Sequence, residues 1–398
     1  MAQVCVQPLP LNLLQAHRAM LSRIMVAGSA SQARLFAAGA GATRNLHVAL
    51  VGRGLVGKAF LAQLCKQQQM LESQLGKAIE LRCVTSSKKM LTGNISFCDW
   101  EKDFDANAVA MSMDQVVADL KAAGTQGVMV DCTASDDTAE VYPALIKSGV
   151  HVVTPNKRAG AGPLERYQAC MAGPGIYMGE ATVGAGLPIM STLTSLVETG
   201  DKVHSIQGIL SGTLSYLFNT CSATTPFSKA VAQAAELGFT EPDPREDLSG
   251  MDVQRKVTIL ARAAGLDVSA DDVEVDSLVP AALQDWCPPA GQAIAPAFVE
   301  ALKEFDGEMT SKLAEADAAG EVLRYVGKVD LVNKKVTVKL ERFPKSHAFA
   351  ATQWADNVVV FETERYTPRP LVVQGPGAGA DVTAAGVLGD VISIARRV

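Results

Sequence analysis

Leu46-His47-Val48-Ala49-Leu50-Val51-Gly52-Arg53-Gly54-Leu55-Val56-Gly57 is the stretch on which the fold turns. An apolar run of strand length meets a G-x-G-x-x-G loop without a gap, and residues 58–71 follow with helical periodicity. In such a loop the first glycine permits a tight turn and the second lets the backbone approach a pyrophosphate. The third lets helix and strand pack closely. The helix N-terminus then points its amides at the phosphates. Gly52, Gly54 and Gly57, with Leu55 and Val56 between them, are therefore assigned to dinucleotide binding. A glycine turn with no ligand is the alternative, and the strand-loop-helix context weighs against it.

Outward from this loop, strands are predicted at 79–84, 127–132 and 151–153, with helices at 114–122 and 138–148. Strands alternating with helices predict an α/β unit with a parallel, doubly wound, Rossmann-type sheet. Beyond residues 176–181 the character changes. A helix at 188–198, a strand at 203–210, helices over 213–266 and β-rich segments at 322–329, 335–340 and 358–363 predict a second, mixed α+β unit. A glycine-rich stretch, Gly375-Pro376-Gly377-Ala378-Gly379, precedes a helical C-terminal segment at 380–397. The expected division is a leader over 1–45, a nucleotide-binding domain over 46–187 completed by 380–398, and a catalytic domain over 188–379.

The second strand runs into Val84-Thr85-Ser86-Ser87-Lys88-Lys89. A site selective for NAD usually places Asp or Glu there to take the ribose hydroxyls. None is present. Ser86, Lys88 and Lys89 suit a 2′-phosphate instead, which favours NADP over NAD; a solvated loop that touches nothing is the other reading.

Composition sets the outer bounds. With 398 residues the chain can bury more than one core. Its 48% hydrophobic and 20% charged residues are ordinary for a globular protein, and a formal net charge of -6 argues against a nucleic-acid partner. No apolar run approaches the roughly 18 residues of a membrane helix. Eight cysteines are scattered without a C-x-x-C pair, which predicts reduced thiols rather than disulfides. Residues 1–45 carry Arg18, Arg23, Arg34 and Arg44 but no Asp, Glu or Lys, and Leu13, Leu14, Met20, Leu21 and Ile24 can share one helical face. Such a segment has the make-up of a mitochondrial or plastid transit peptide, or of a disordered arm.

Six further stretches carry chemistry. They are VDCTAS at 130–135, VVTPNKRA at 152–159, EATVGAGLPI at 180–189, GILSGTLSYLFN at 208–219, GFTEPDPREDLSGMDVQRK at 238–256 and GPGAGADVTAAGVLGD at 375–390. Together, and in this order, they resemble the homoserine dehydrogenases, and the resemblance runs from about residue 46 to the C-terminus. It implies the NAD(P)-dependent interconversion of aspartate 4-semialdehyde and homoserine, in a monofunctional form without aspartate kinase or ligand-sensing domains. It also implies a homodimer, with the second unit serving dimerisation as well as catalysis.

Reducing an aldehyde requires a proton source at the developing alkoxide, and a lysine ammonium can stabilise that oxygen and protonate it. The resemblance gives this role to Lys256 and Lys157, with Lys157 also at the cofactor. Asp247 would help hold the reacting oxygen, and Asp252 would orient Lys256. Glu241 would hold the substrate ammonium, beside Gly212 and Thr213. From the residues alone, Asp247 could instead cap a helix beginning at Leu248, and Asp252 with Lys256 could be a plain i,i+4 ion pair. Glu246 stands where the family has a first Asp, so its role stays open. Thr133 and Gly379 would complete the cofactor contacts, and Cys132 receives no role. Glu180, Val183, Ala185 and Leu187 match a site for Na⁺ or K⁺ built mostly from backbone carbonyls. Aspartate-semialdehyde dehydrogenase, on a similar fold, needs a cysteine nucleophile with a basic partner, and none is evident. A non-catalytic dinucleotide sensor would have no use for both lysines beside the acids.

Overall fold

The computed structural model describes residues 45–222 and 224–398. The expected leader therefore lies outside the described residues, Asn45 excepted.

Strand β1 (Leu46–Val51) enters the glycine loop and helix α1 (Leu55–Leu75) leaves it. β1 pairs in parallel with β2 (Ile79–Thr85) on one side and β5 (Gly127–Asp131) on the other. β6 (His151–Val153) and β7 (Tyr177–Met178) extend the parallel run. The near-continuous apolarity of β1 now has its cause: both faces are covered. Leu46, Val48 and Leu50 pack with Phe60, Leu61 and Leu64 of α1 and with Val387, Val391 and Ile394 of the C-terminal helix α15 (Ala380–Ala395). Ala49 and Val51 face the opposite layer, where Tyr142, Leu145 and Ile146 lie. Each fully buried Leu, Val or Ile in these layers contributes about 1.5–3 kcal/mol.

The doubly wound sheet was expected, but its far edge differs. β3 (Lys89–Ile95) and β4 (Val109–Ala110) add to β2 in antiparallel pairing, giving the order β4-β3-β2-β1-β5-β6-β7. Gly93, at φ 124°, and Asn94 interrupt the strand signal of β3, although Met90, Leu91 and Ile95 are buried. The helix expected over 138–148 forms as two short pieces, α4 (Asp136–Glu140) and α5 (Tyr142–Lys147), because Pro143 suits a first helical turn and not a helix interior. The expectation of eight free thiols is also corrected. Cys65 on α1 and Cys98 form a disulfide with their Cα atoms 5.3 Å apart. Thirty-three residues separate them in sequence, so no spacing rule pairs them; only the close packing of α1 against the segment after β3 does.

The second sheet has the order β13-β12-β8-β10-β11-β9 and is antiparallel except at β11–β9. β8 (Val203–Ile209), β10 (Glu321–Asp330), β11 (Lys335–Pro344) and β12 (Asp356–Thr363) match expected strands, whereas β13 (Leu371–Pro376) and β9 (Glu274–Val275) were not anticipated. Helices α9 (Gly212–Thr220) and α12 (Met251–Ala263) lie on one face. There Leu214, Leu217, Val253, Val257 and Leu260 pack with Ile206, Val329, Val338 and Phe361 of the sheet.

Candidate functional site

Gly52 has φ 93°, and a methyl group there would sit 2.7 Å from the Thr133 side chain. At Gly57 an added Cβ would lie 2.2 Å from the Gly52 carbonyl oxygen, so the turn closes only around glycine. Around Gly54 the space is open for 4 Å. Gly52 thus makes the bend and Gly57 the close packing, while Gly54 leaves open space beside the turn. α1 starts with no side-chain cap and no acidic residue in its first turn, which leaves its amides available to an anion. Leu55 is 81% exposed over this turn, and Val56 packs inward. These features fit a dinucleotide phosphate.

At the end of β2, the Ser86 hydroxyl accepts from the amides of Lys88 (3.4 Å) and Lys89 (3.0 Å). It is spent on the turn, and both lysines stay exposed. Arg53, not singled out from the sequence, bonds through its amide to Thr85 O at 3.0 Å and stacks its guanidinium 4.2 Å over Phe104. Its only sequence signal was its place inside the glycine motif.

Lys157 is delivered by a buried polar network that sequence reasoning did not single out. Asp131, at the end of β5, accepts from Tyr142 Oη, from Asn156 Nδ2 at 3.0 Å and from the Thr133 amide at 2.8 Å. Thr154 Oγ1 donates to the Asp131 carbonyl oxygen at 2.8 Å. Asn156 in turn caps the helix α6 (Lys157–Ala161) by accepting from Arg158 N at 3.0 Å. One buried carboxylate thus fixes both the Thr133 loop and the start of the Lys157 helix. The VDC and TPN tripeptides were legible, but only the parallel register of β5 and β6 brings them together.

Across from α6, α12 presents Asp252 and Lys256. Lys256 Nζ lies 2.9 Å from Asp252 Oδ2, and Lys157 Nζ lies 3.3 Å from Asp252 Oδ1. The i,i+4 pair is real, but it is one half of a lysine–aspartate–lysine bridge between two elements. Lys256 also donates to the Leu210 carbonyl oxygen at 2.7 Å. Although burial opposes it, the two ammonium groups hold the Asp252 carboxyl well below the usual carboxylate range. Burial pulls the Lys157 ammonium below the ordinary lysine value; Asp252 counters it and Lys256 adds to it.

Asp247 is not the helix cap that its position also allowed. The short helix α11 (Pro244–Leu248) is capped by Asp243, which accepts from Arg245 N at 3.0 Å. Asp247 sits inside α11 and accepts from Thr213 Oγ1 at 3.0 Å and from the Glu241 amide at 2.8 Å. Burial pushes its carboxyl up, those two hydrogen bonds pull it down, and the Glu241 and Asp252 charges push it up again. Lys157, Lys256, Asp247, Asp252, Glu241, Gly212, Thr213 and Gly379 all line one cleft of about 930 Å³, with Glu246 at its wall. The glycine loop, Thr133 and the Ser86 turn do not line that cleft. Burial pushes the Cys132 thiol far up, which removes it as a nucleophile at neutral pH.

The stretch assigned to a monovalent cation folds as a tight turn, with Gly184 at φ 75° and Ala185 at φ 54°. The carboxylate of Glu180 is already engaged by the amides of Met190 (2.8 Å) and Ser191 (2.9 Å), so only its carbonyl could serve an ion. The carbonyl oxygens of Val183 and Ala185 accept no hydrogen bond among the described residues, whereas that of Leu187 accepts from Ile189 N at 2.8 Å. Val183 and Ala185 thus keep free the kind of oxygen a hard cation prefers, whereas the Leu187 carbonyl is already engaged.

The α/β fold thus carries a dinucleotide-type glycine turn on one sheet and, apart from it, a cleft in which one carboxylate bridges two lysines. Residues 52–173 match the sequence profile of the homoserine dehydrogenase NAD-binding domain, and residues 188–392 match that of homoserine dehydrogenase itself. The homoserine dehydrogenase of Saccharomyces cerevisiae is 41% identical over 364 residues, covering 89% of this chain and 99% of that one. The chain belongs to the homoserine dehydrogenase family. The chloroplastic bifunctional aspartokinase/homoserine dehydrogenase 1 of Arabidopsis thaliana is 46% identical over 359 residues, and the match covers 88% of this chain but only 39% of that relative's length. A crystal structure of a Candida auris protein of unknown function superimposes with a TM-score of 0.81 at 40% identity, over 89% of this chain and 99% of that one.

Proposed function

We propose that this chain interconverts aspartate 4-semialdehyde and homoserine with a nicotinamide dinucleotide, using the Lys157–Asp252–Lys256 bridge. The convergence of both lysines on one carboxylate, at a cleft also lined by Glu241, Asp247 and Thr213, carries the reading. When bound, the dinucleotide supplies or takes up the hydride. An ammonium has three N–H donors, and Lys256 spends two, on Asp252 and on Leu210. Its third N–H is left for the substrate oxygen, where it stabilises negative charge and delivers the proton. Lys157, its charge weakened by burial, closes the other side, while Glu241 takes the substrate ammonium and Asp247, with Thr213, the reacting oxygen.

Residues 46–187 with 380–398 form the nucleotide-binding domain in this reading, and 188–379 the catalytic and dimerisation domain of a homodimer. Lys88, Lys89 and Arg53 around the Ser86 turn favour NADP, since cations there can accept the 2′-phosphate. The turn at 183–187 would hold Na⁺ or K⁺ by carbonyls. Residues 1–45 would act as an organellar leader; among the described residues no helix is long and apolar enough to cross a membrane. The test is direct: purified protein is given homoserine with NADP or NAD, and formation of the reduced cofactor is followed by absorbance. Homoserine-dependent reduction is expected with at least one cofactor, and no rate with either overturns the reading.

A further inference from the structure

Below the lysine bridge lies Asn357 on β12, which belongs to none of the motifs that led to the site. It is fully buried. Its Nδ2 donates to the Leu210 carbonyl oxygen at 3.2 Å, the same oxygen that accepts from Lys256 Nζ at 2.7 Å. A carbonyl has two lone pairs, so one oxygen can serve both donors. Leu210 follows the last residue of β8 and precedes the Ser211 cap of α9. Its C=O therefore sits where sheet pairing stops, and these side chains orient it.

The other end of the amide is also informative. Asn357 Oδ1 has no hydrogen-bond partner among the described residues. The amide lies against Gly377, where an added Cβ would be 2.1 Å from Asn357 Cγ and Nδ2 and 2.6 Å from Oδ1. Gly377 lines the cleft, two residues before Gly379. Burying an amide oxygen unpaired is costly. A leucine of similar volume would avoid that cost but would leave Leu210 without its second donor. Packing alone therefore does not account for an asparagine here.

We propose that Asn357 is a positioning residue: itself packed against Gly377, it holds the Leu210 carbonyl and so fixes the direction in which Lys256 presents its free N–H to the substrate. The inference rests on Lys256 acting as the proton donor. Without the Nδ2 donor, the Leu210 carbonyl can swing and Lys256 is drawn toward Asp252 alone. Asn357 does not line the cleft, so the effect is expected on turnover and not on binding.

The test uses Asn357→Leu and Asn357→Asp in the full chain. For Asn357→Leu, kcat is expected to fall about 10-fold, with KM for homoserine and for the cofactor within about twofold and the thermal midpoint no lower than in the wild type. For the near-isosteric Asn357→Asp, a second carboxylate beside the ammonium should move the alkaline limb of the kcat profile to higher pH. Lys157 and Asp252 form the bridge with Lys256, Glu241, Glu246, Asp247, Arg255 and Asp356 line the same cleft, and all are unchanged in these variants. The proposal is overturned if Asn357→Leu keeps kcat within about twofold, or if kcat, KM and the midpoint all deteriorate together. Should Asn357→Leu fail to fold, an unmoved alkaline limb in Asn357→Asp overturns it. A parallel Lys256→Met variant separates the two readings. If that variant turns over normally, the assignment of Lys256 fails; if it is inactive while Asn357→Leu is normal, only the role of Asn357 fails.

Discussion

Replacing Asp252 by Asn is the most informative single change in the bridge, because it removes one charge from between two others and leaves the shape intact. Unit charges at the observed 2.9 and 3.3 Å attract by about 5–6 kcal/mol each at an effective dielectric near 20. The Asp252 side chain is 45% exposed, so solvent screening reduces each contribution to about 1–2 kcal/mol. Loss of both gives about 2–4 kcal/mol, and at about 1.4 kcal/mol per decade we expect kcat to fall by roughly 100-fold. Two consequences distinguish this from general damage. The two ammonium groups would then face each other without a carboxylate, so the alkaline limb of the pH profile should move to lower pH. Cofactor affinity, set at the glycine loop, should change by less than about twofold. The assay is initial rates against pH at saturating cofactor, with cofactor binding followed separately by fluorescence. A kcat within about threefold of wild type and an unmoved alkaline limb would refute the reasoning.

Gly54→Ala and Gly57→Ala form a contrasting pair. Gly54→Ala meets nothing within 4 Å in the free protein, so it should weaken cofactor binding while leaving the thermal midpoint unchanged. Gly57→Ala forces a contact at 2.2 Å with the Gly52 carbonyl and should cost about 1–3 kcal/mol of stability as well; equal midpoints for the two variants would contradict this division of roles. Lys88→Ala and Lys89→Ala should raise the dissociation constant for NADPH about 10-fold and hardly alter that for NADH, as titration of each reduced cofactor will show. Burial pushes the Asp390 carboxyl up to about 7 against an unfolded value near 3.9, while the Glu180 amide bonded to it at 2.9 Å pulls the other way. A carboxyl raised by folding adds stability at low pH that is lost as the pH rises through 7. Asp390→Asn should therefore gain on the wild type in thermal midpoint between pH 5 and 8; a constant difference over that range would show that Asp390 does not titrate there.

The parts of this molecule written in local sequence were legible from neighbouring residues alone. β1 and its glycine loop needed only adjacent residues, and so did the C-terminal helix after Gly379. Glu241, Asp247, Asp252 and Lys256 stood out through the resemblance carried by the 238–256 stretch, and the fold brings all four to one cleft. What escaped was set by distant pairings. Lys157 reaches Asp252 only when α6 docks on α12, and Asp131 meets Asn156 only through the register of β5 and β6. Cys65 and Cys98 looked like scattered thiols because nothing local joins them. β3 was missed because Gly93 and Asn94 break its alternation, although pairing with β2 overrides that weakness. Asn357 reads as one polar residue in an apolar strand until the Leu210 carbonyl is seen beside it.

The central claim is that Lys256, held by Asp252 and Leu210, performs the proton transfer. Lys256→Ala, measured side by side for NADPH binding by fluorescence and for homoserine oxidation by absorbance, tests it most directly. Nearly unaltered binding is predicted, with turnover reduced by at least about 1,000-fold. Turnover within about threefold of the wild type, with binding intact, would contradict it.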